Sequence, residues 1–296
     1  MKAVAALTAP WAMDLYSSFR HPKSATGLAR DVRGGNEAMI RQYPLTPAAG
    51  KRLIAKALTK HPTVTKALTG GRLVIVAGTT NGYVAEEILS HLGQAVGFSR
   101  RHFFRGVTVS PAWITAAQGR LPDNSGFPGD VVIDKGVWKR AKTIFDVAGD
   151  LGEDDLIVKG ANALDVDAGH AANFVDHPDG GPMAAVLPAV LGRRAKLLIP
   201  VGLEKRVPGS LLDLANRLSS ANAKGPRLCP LPGQVFTELD AIFLATGARA
   251  VLTGAGGIGG AEGCVWLAVE GDERQLGKVD TLMRQVLAEP SFESEA

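Results

Sequence analysis

The chain has 296 residues, of which 46% are hydrophobic and 21% charged, and its formal net charge is +4. That length can bury a large core, and the composition excludes a globally disordered chain. The weak positive balance gives no ground for a nucleic-acid partner, and no stretch reaches the ~18–20 apolar residues that span a bilayer.

Residues 1–45 are interrupted by Pro10, Pro22, Gly27, Gly34, Gly35 and Pro44 and read as an irregular N-terminal arm. Thr46-Pro47 then opens a helix, with Thr46 as its cap and Leu53, Ile54, Ala57 and Leu58 as its apolar stripe. Leu73 to Ala77 is a continuous apolar run, the pattern of a strand covered on both faces. Gly78-Thr79-Thr80-Asn81-Gly82 follows it, and Val84 to Leu92 reads as helix. The stretch 97–150 is rich in proline and glycine, carries the short run Val131-Val132-Ile133, and reads as an inserted subdomain or lid. Leu156 to Val158 and Lys196 to Val201 are further buried strands. Met183 to Leu191 reads as a helix interrupted at Pro188. Ser210 to Leu218 is a helix capped by Ser210, and Val235 to Ala245 is another. Arg249 to Thr253 and Cys264 to Val269 are strands, and Leu276 to Leu287 closes the chain as a helix. The alternation predicts an α/β protein with an open, mainly parallel sheet and helices on both faces. Its core spans 46–96 and 151–290, with the smaller insertion between.

Cys229 and Cys264 are too few for a disulfide framework. The run after Met1-Lys2 lacks the apolar centre of a secretory signal. The reading is a cytoplasmic protein with neither nucleic acid nor membrane as partner, and with a homo-oligomer left open.

The segment Gly78-Thr79-Thr80-Asn81-Gly82 leaves a buried strand and enters a helix. Backbone N–H groups and the helix dipole then face outward at the strand's carboxyl end, where small residues let an anion approach. This predicts a small anionic metabolite at Gly78, Thr79, Thr80, Asn81 and Gly82. Gly254-Ala255-Gly256-Gly257-Ile258-Gly259 matches a dinucleotide fingerprint, but an apolar strand follows it where that fingerprint needs a helix. It is read as a hairpin loop, and no cofactor is expected. Asp165, Asp167, His170, Asp176, His177 and Asp179 are rich in ligand-type side chains. They fail as a calcium loop, because His170 stands at the glycine position and Asp176 at the bidentate glutamate position, and no metal is assigned. His177, Asp179, Gly180 and Gly181 are read as a tight turn lining the pocket.

The helix, the run Gly71 to Gly82 and the next helix together resemble the opening of the fold shared by ribose-5-phosphate isomerase, glucosamine-6-phosphate deaminase and CoA transferases. Lys159-Gly160-Ala161-Asn162-Ala163-Leu164-Asp165 resembles the acidic Asp-Gly-Ala-Asp-Glu-Val-Asp segment of the isomerases. Lys159, Asn162 and Ala163 replace three of its acidic positions, and Asp165 alone keeps a carboxylate. The resemblance implies a polar-ligand pocket with Asp165 and Lys159 as catalytic candidates and Asn162 as a binding residue. An amide is no base for aldose–ketose proton transfer, so ribose-5-phosphate isomerisation is not expected. Gly256-Gly257-Ile258 and Glu262 are similar to the oxyanion turn and nucleophilic glutamate of CoA transferases, which makes Glu262 a third candidate. The function expected is binding of a phosphorylated sugar or an acyl-activated carboxylate, with isomerase- or hydrolase-like chemistry. A non-catalytic ligand sensor and a CoA-transferase-like enzyme remain as alternatives. Lys159 and Asp165 are expected to share one crevice with the Thr79 segment, since both flank the strand Leu156 to Val158.

Overall fold

The computed structural model describes residues 39–106, 108–109 and 129–292. Its centre is a six-stranded sheet. Strands β2 (Arg72–Ile75), β5 (Leu156–Val158), β8 (Lys196–Pro200) and β10 (Gln234–Phe236) run parallel in the spatial order β10-β8-β5-β2. Strands β3 (Val131–Asp134) and β4 (Val137–Trp138) continue the sheet antiparallel beyond β2. Leu73, Val74, Ile75, Ile157 and Val158 are fully buried, as strands covered on both faces require. The stretch read as an insertion thus adds Val131 to Trp138 to the main sheet. Its apolar run pairs with β2, while 107 and 110–128 of the same stretch lie outside the described residues.

Helix α1 (Pro47–Leu58) begins as its sequence dictates: Thr46 Oγ1 accepts from Ala49 N at 3.2 Å, and Pro47 sits in the first turn. It packs on α3 (Thr79–His91), α7 (Glu238–Thr246) and α8 (Glu273–Val286), while α2 (Pro62–Gly70) packs on β2 and β5. Helix α7 starts later than the apolar pattern suggested. Val235 and Phe236 pair with β8, and Thr237 closes a capping box with Asp240 that starts the helix there. Helix α4 (Ile144–Val147) is a single turn, and α5 (Pro182–Leu187) gives way at Pro188 to a π-helical turn ending at Gly192.

Two smaller antiparallel sheets complete the fold. Strand β1 (Met39–Leu45) pairs with β12 (Val265–Gly271), and β12 with β11 (Arg249–Ala255). Residues 39–45, read from the sequence as the end of an irregular arm, are therefore a strand. Tyr43 and Leu45 point into the core while Gln42 and Pro44 face outward, a period of two that the prolines obscured. The rest of the expected arm, 1–38, lies outside the described residues. The Gly254 to Gly259 run ends β11 and opens the connection to β12, so a strand follows it, as the pattern predicted. The second small sheet joins β6 (Ala163–Asp165), β7 (His170–Val175) and β9 (Arg227–Pro230). Helix α6 (Leu211–Leu218), capped by Ser210, covers it with Leu211 and Ala215. Among the described residues, no helix is long and apolar enough to cross a membrane.

Candidate functional site

The parallel strands deliver four segments to one edge of the main sheet: Val76 to Asn81 after β2, Lys159 to Asn162 after β5, Val201 to Lys205 after β8, and Thr237-Glu238 after β10. Carboxyl ends of neighbouring parallel strands open onto a common crevice. Asn81 fastens the first two segments together. It is fully buried, and its Nδ2 donates to Val76 O at 2.7 Å and to Val158 O at 3.1 Å. The segment Thr79 to Gly82 is the first turn of α3 itself, with Gly78 as an N-cap that offers no side chain. Thr80 Oγ1 and Asn81 Oδ1 are buried and have no hydrogen-bond partner among the described residues. Gly160 passes beside that amide oxygen, where a Cβ would stand at ordinary contact distance, 3.7 Å.

Lys159 is half-buried at the end of β5, and its Nζ donates to Asn173 Oδ1 at 3.2 Å. The Asn173 amide is fixed in turn, because its Nδ2 donates to Asn162 Oδ1 at 3.0 Å. Asn162 Oδ1 also accepts from Phe174 N at 3.0 Å. Burial, helped by the neighbouring Lys205 charge, holds the Lys159 amine down at about 8. Lys205 Nζ donates to Ala161 O at 2.8 Å, and burial lowers its pKa as well. Asp130, fully buried just before β3, accepts from Ala77 N at 2.8 Å, Arg105 Nη1 at 2.9 Å and Ile144 N at 3.1 Å. This binds Arg105 to the same edge.

No family model, curated protein or solved structure matches the chain.

A second group of charges lies further along the edge. Glu238 is buried, and its Oε2 accepts from Leu203 N at 3.0 Å. Burial, reinforced by the charge of Glu204, pushes the Glu238 carboxyl up to about 8. Two glycines make room for these carboxyls: a Cβ on Gly50 would stand 2.5 Å from Glu238 Oε1, and one on Gly202 would collide with Glu204 Oε2.

The other sequence candidates are placed elsewhere. Asp165 Oδ1 accepts from Ala168 N at 3.0 Å, so its carboxylate shapes the β6–β7 hairpin turn. Glu262 Oε2 accepts from Gly260 N at 2.9 Å within the exposed β11–β12 connection. His177 Nδ1 accepts from Asp179 N at 3.1 Å in an exposed turn, and Gly180 and Gly181 carry positive φ there before α5. Among the described residues, Asp165, Glu262, His177 and Asp179 share no hydrogen bond or ion pair with Lys159, and no His/Cys/Asp/Glu group is placed to hold a metal. The structure brings together Asn81, Lys159 and Asn162 from the sequence set. It adds Asn173, Lys205, Asp130, Glu204 and Glu238, which no local motif marked, and Arg105 from the basic run Arg100, Arg101, His102 and Arg105.

Proposed function

We propose that the chain binds a small anionic metabolite, a phosphorylated sugar or an acyl-activated carboxylate, at the carboxyl edge of β2, β5 and β8. One observation carries this reading. Lys159 and Lys205 stand at adjacent strand ends, close enough for the charge of one to depress the other's pKa, and neither forms an ion pair among the described residues. The charges of Glu204 and Glu238 act on Lys205 and that of Asp130 on Lys159, but none closes an ion pair with either amine among the described residues, so both ammonium groups are open to an anion. The N-terminus of α3 adds its dipole at the same edge, and the buried Thr80 hydroxyl supplies a donor beside it. The likeness to sugar-phosphate isomerases supports the ligand class, while the absent carboxylates argue against ribose-5-phosphate isomerisation.

The test is thermal unfolding with inorganic phosphate, glyceraldehyde 3-phosphate, ribose 5-phosphate and acetyl-CoA, each titrated to saturation. A bound ligand at about 100 times its Kd stabilises by about 2.7 kcal/mol. At least one of these anions is expected to raise Tm in the wild type and to lose its effect in a Lys159→Met, Lys205→Met double variant. An equal shift in both proteins, or none with any anion, rejects the site.

A further inference from the structure

Lys159 differs from an ordinary phosphate-binding lysine in how its amine is held. Its single side-chain partner is the carbonyl oxygen of an asparagine, which accepts a hydrogen bond from the amine and brings no negative charge to it. That asparagine cannot turn its NH2 toward the lysine without breaking its bond to Asn162, whose oxygen is itself committed to Asn173 and Phe174 N. The two amides therefore form a rigid relay that points an oxygen at Nζ. The charged groups acting on the amine come from several elements. Lys205 after β8 and Arg105 disfavour its protonation, while Asp130 ahead of β3 favours it and is already committed to Arg105 and two backbone amides. The thiol of Cys229 on β9 also lies within electrostatic reach, and burial pushes it up so that it stays protonated. A desolvated lysine beside another cation is the environment in which an amine becomes a nucleophile at neutral pH. With its pKa held at about 8, well below the usual 10.5, far more of this amine is free near neutral pH than of an ordinary lysine.

We infer that Lys159 captures the carbonyl group of an aldehyde- or ketone-bearing anion as an imine, with Asn173 and Asn162 positioning its amine. This rests on the anion-binding reading and names the chemistry of the ligand's other end. The Nζ lone pair forms a bond to the carbonyl carbon, and the C=O π pair moves to oxygen. A proton passes from nitrogen to that oxygen to give the carbinolamine. A proton from water that enters with the ligand goes to the hydroxyl, which leaves as water as the nitrogen lone pair forms C=N. The protonated imine results, with one carbonyl, one amine and one proton consumed and one water released.

The experiment is reductive trapping of the full chain with glyceraldehyde 3-phosphate and sodium cyanoborohydride at about pH 7.5, followed by peptide mass spectrometry. Lys159 is expected to be labelled about tenfold or more faster than the exposed Lys60 and Lys66. Lys159→Arg keeps the charge but forms no stable imine, so it is expected to lose the label while inorganic phosphate still raises its Tm. Asn173→Asp, which puts a carboxylate on the amine, is expected to raise the amine's pKa and move the labelling optimum to higher pH. Uniform labelling of the lysines, with phosphate stabilisation intact, overturns the imine and leaves the anion site standing. Loss of phosphate stabilisation in the wild type, with Lys159 still labelled fastest by uncharged glycolaldehyde, overturns the anion site and leaves the imine standing. Absence of both overturns both.

Discussion

Replacing Glu238 by glutamine should make the protein more stable, and by an amount that depends on pH. The carboxyl is buried at the start of α7, with Leu203 N as donor to one oxygen and Glu204 as an unfavourable neighbour. In the unfolded chain it titrates near 4.5, and in the folded chain at about 8. Between those values the folded chain keeps a proton that the unfolded chain has released, so stability falls as pH rises through this window. Below and above the window the contribution is level. Each pH unit of that window costs about 1.4 kcal/mol, so the loss attributable to this group amounts to a few kcal/mol by about pH 8. Glutamine retains an oxygen for Leu203 N, gains an NH2 to donate toward Glu204, and cannot ionise. Urea unfolding followed by circular dichroism at about pH 5, 6.5 and 8 compares the two proteins. The variant's advantage is expected to be small at the first pH and to widen steadily toward the last. Parallel stability profiles would refute a carboxyl buried with its proton.

Three further substitutions probe the same edge and its supports. Gly50→Ala should gain about 1 kcal/mol of helix propensity, yet its Cβ would stand 2.5 Å from Glu238 Oε1, so net destabilisation of about 1–3 kcal/mol is expected in urea; a stabilised variant contradicts the close approach. Asn81→Ala removes both bonds that tie Val76 O and Val158 O, and a loss of about 2 kcal/mol is expected; an unchanged unfolding midpoint refutes the tie. Arg52→Met removes the guanidinium that bonds Glu86, Glu87 and Glu289, leaving Glu86 and Glu289 to Arg100 and Glu87 to Lys56, and takes one of two cations from the Tyr83 ring. A cost of about 1–3 kcal/mol is expected in urea, and an unchanged unfolding midpoint refutes the pairing argument.

The main strands were legible because β2, β5 and β8 are unbroken apolar runs such as Leu73-Val74-Ile75 and Leu197-Leu198-Ile199. Strands β6 and β7 were not, because Ala163-Leu164-Asp165 and His170-Ala171-Ala172-Asn173 carry small and turn-forming residues, and only their pairing makes them strands. At the site, Lys159, Asn162 and the α3 start could be found because each directly follows a buried strand. Lys205, Glu238 and Asn173 could not, since their meeting depends on β8, β10 and β7 lying where the spatial order puts them. Asp165 shows the reverse. Its motif drew attention, but a carboxylate ahead of Val166 to Gly169 is also what a hairpin turn asks for, and its oxygen is spent there.

The pairing of β1 with β12 also governs how the chain is made. Met39 lies opposite Gly271 and Leu45 opposite Val265, so the first described strand meets its neighbour only near the end of the chain. Arg41 and Tyr43 wait as well for Asp280 on α8, with Tyr43 Oη donating at 2.5 Å and Arg41 pairing with the same carboxylate. During synthesis the residues of β1 leave the ribosome before those of β12, and more than two hundred residues follow before this pairing can form. Their unpaired edge is an aggregation hazard throughout that interval. Closure of this pair is a late, long-range step that lengthens the search for the native topology. A nascent chain stalled before β12 would expose the Tyr43 and Leu45 face to chaperones, so biogenesis depends on the chain's last elements arriving before that surface finds another partner.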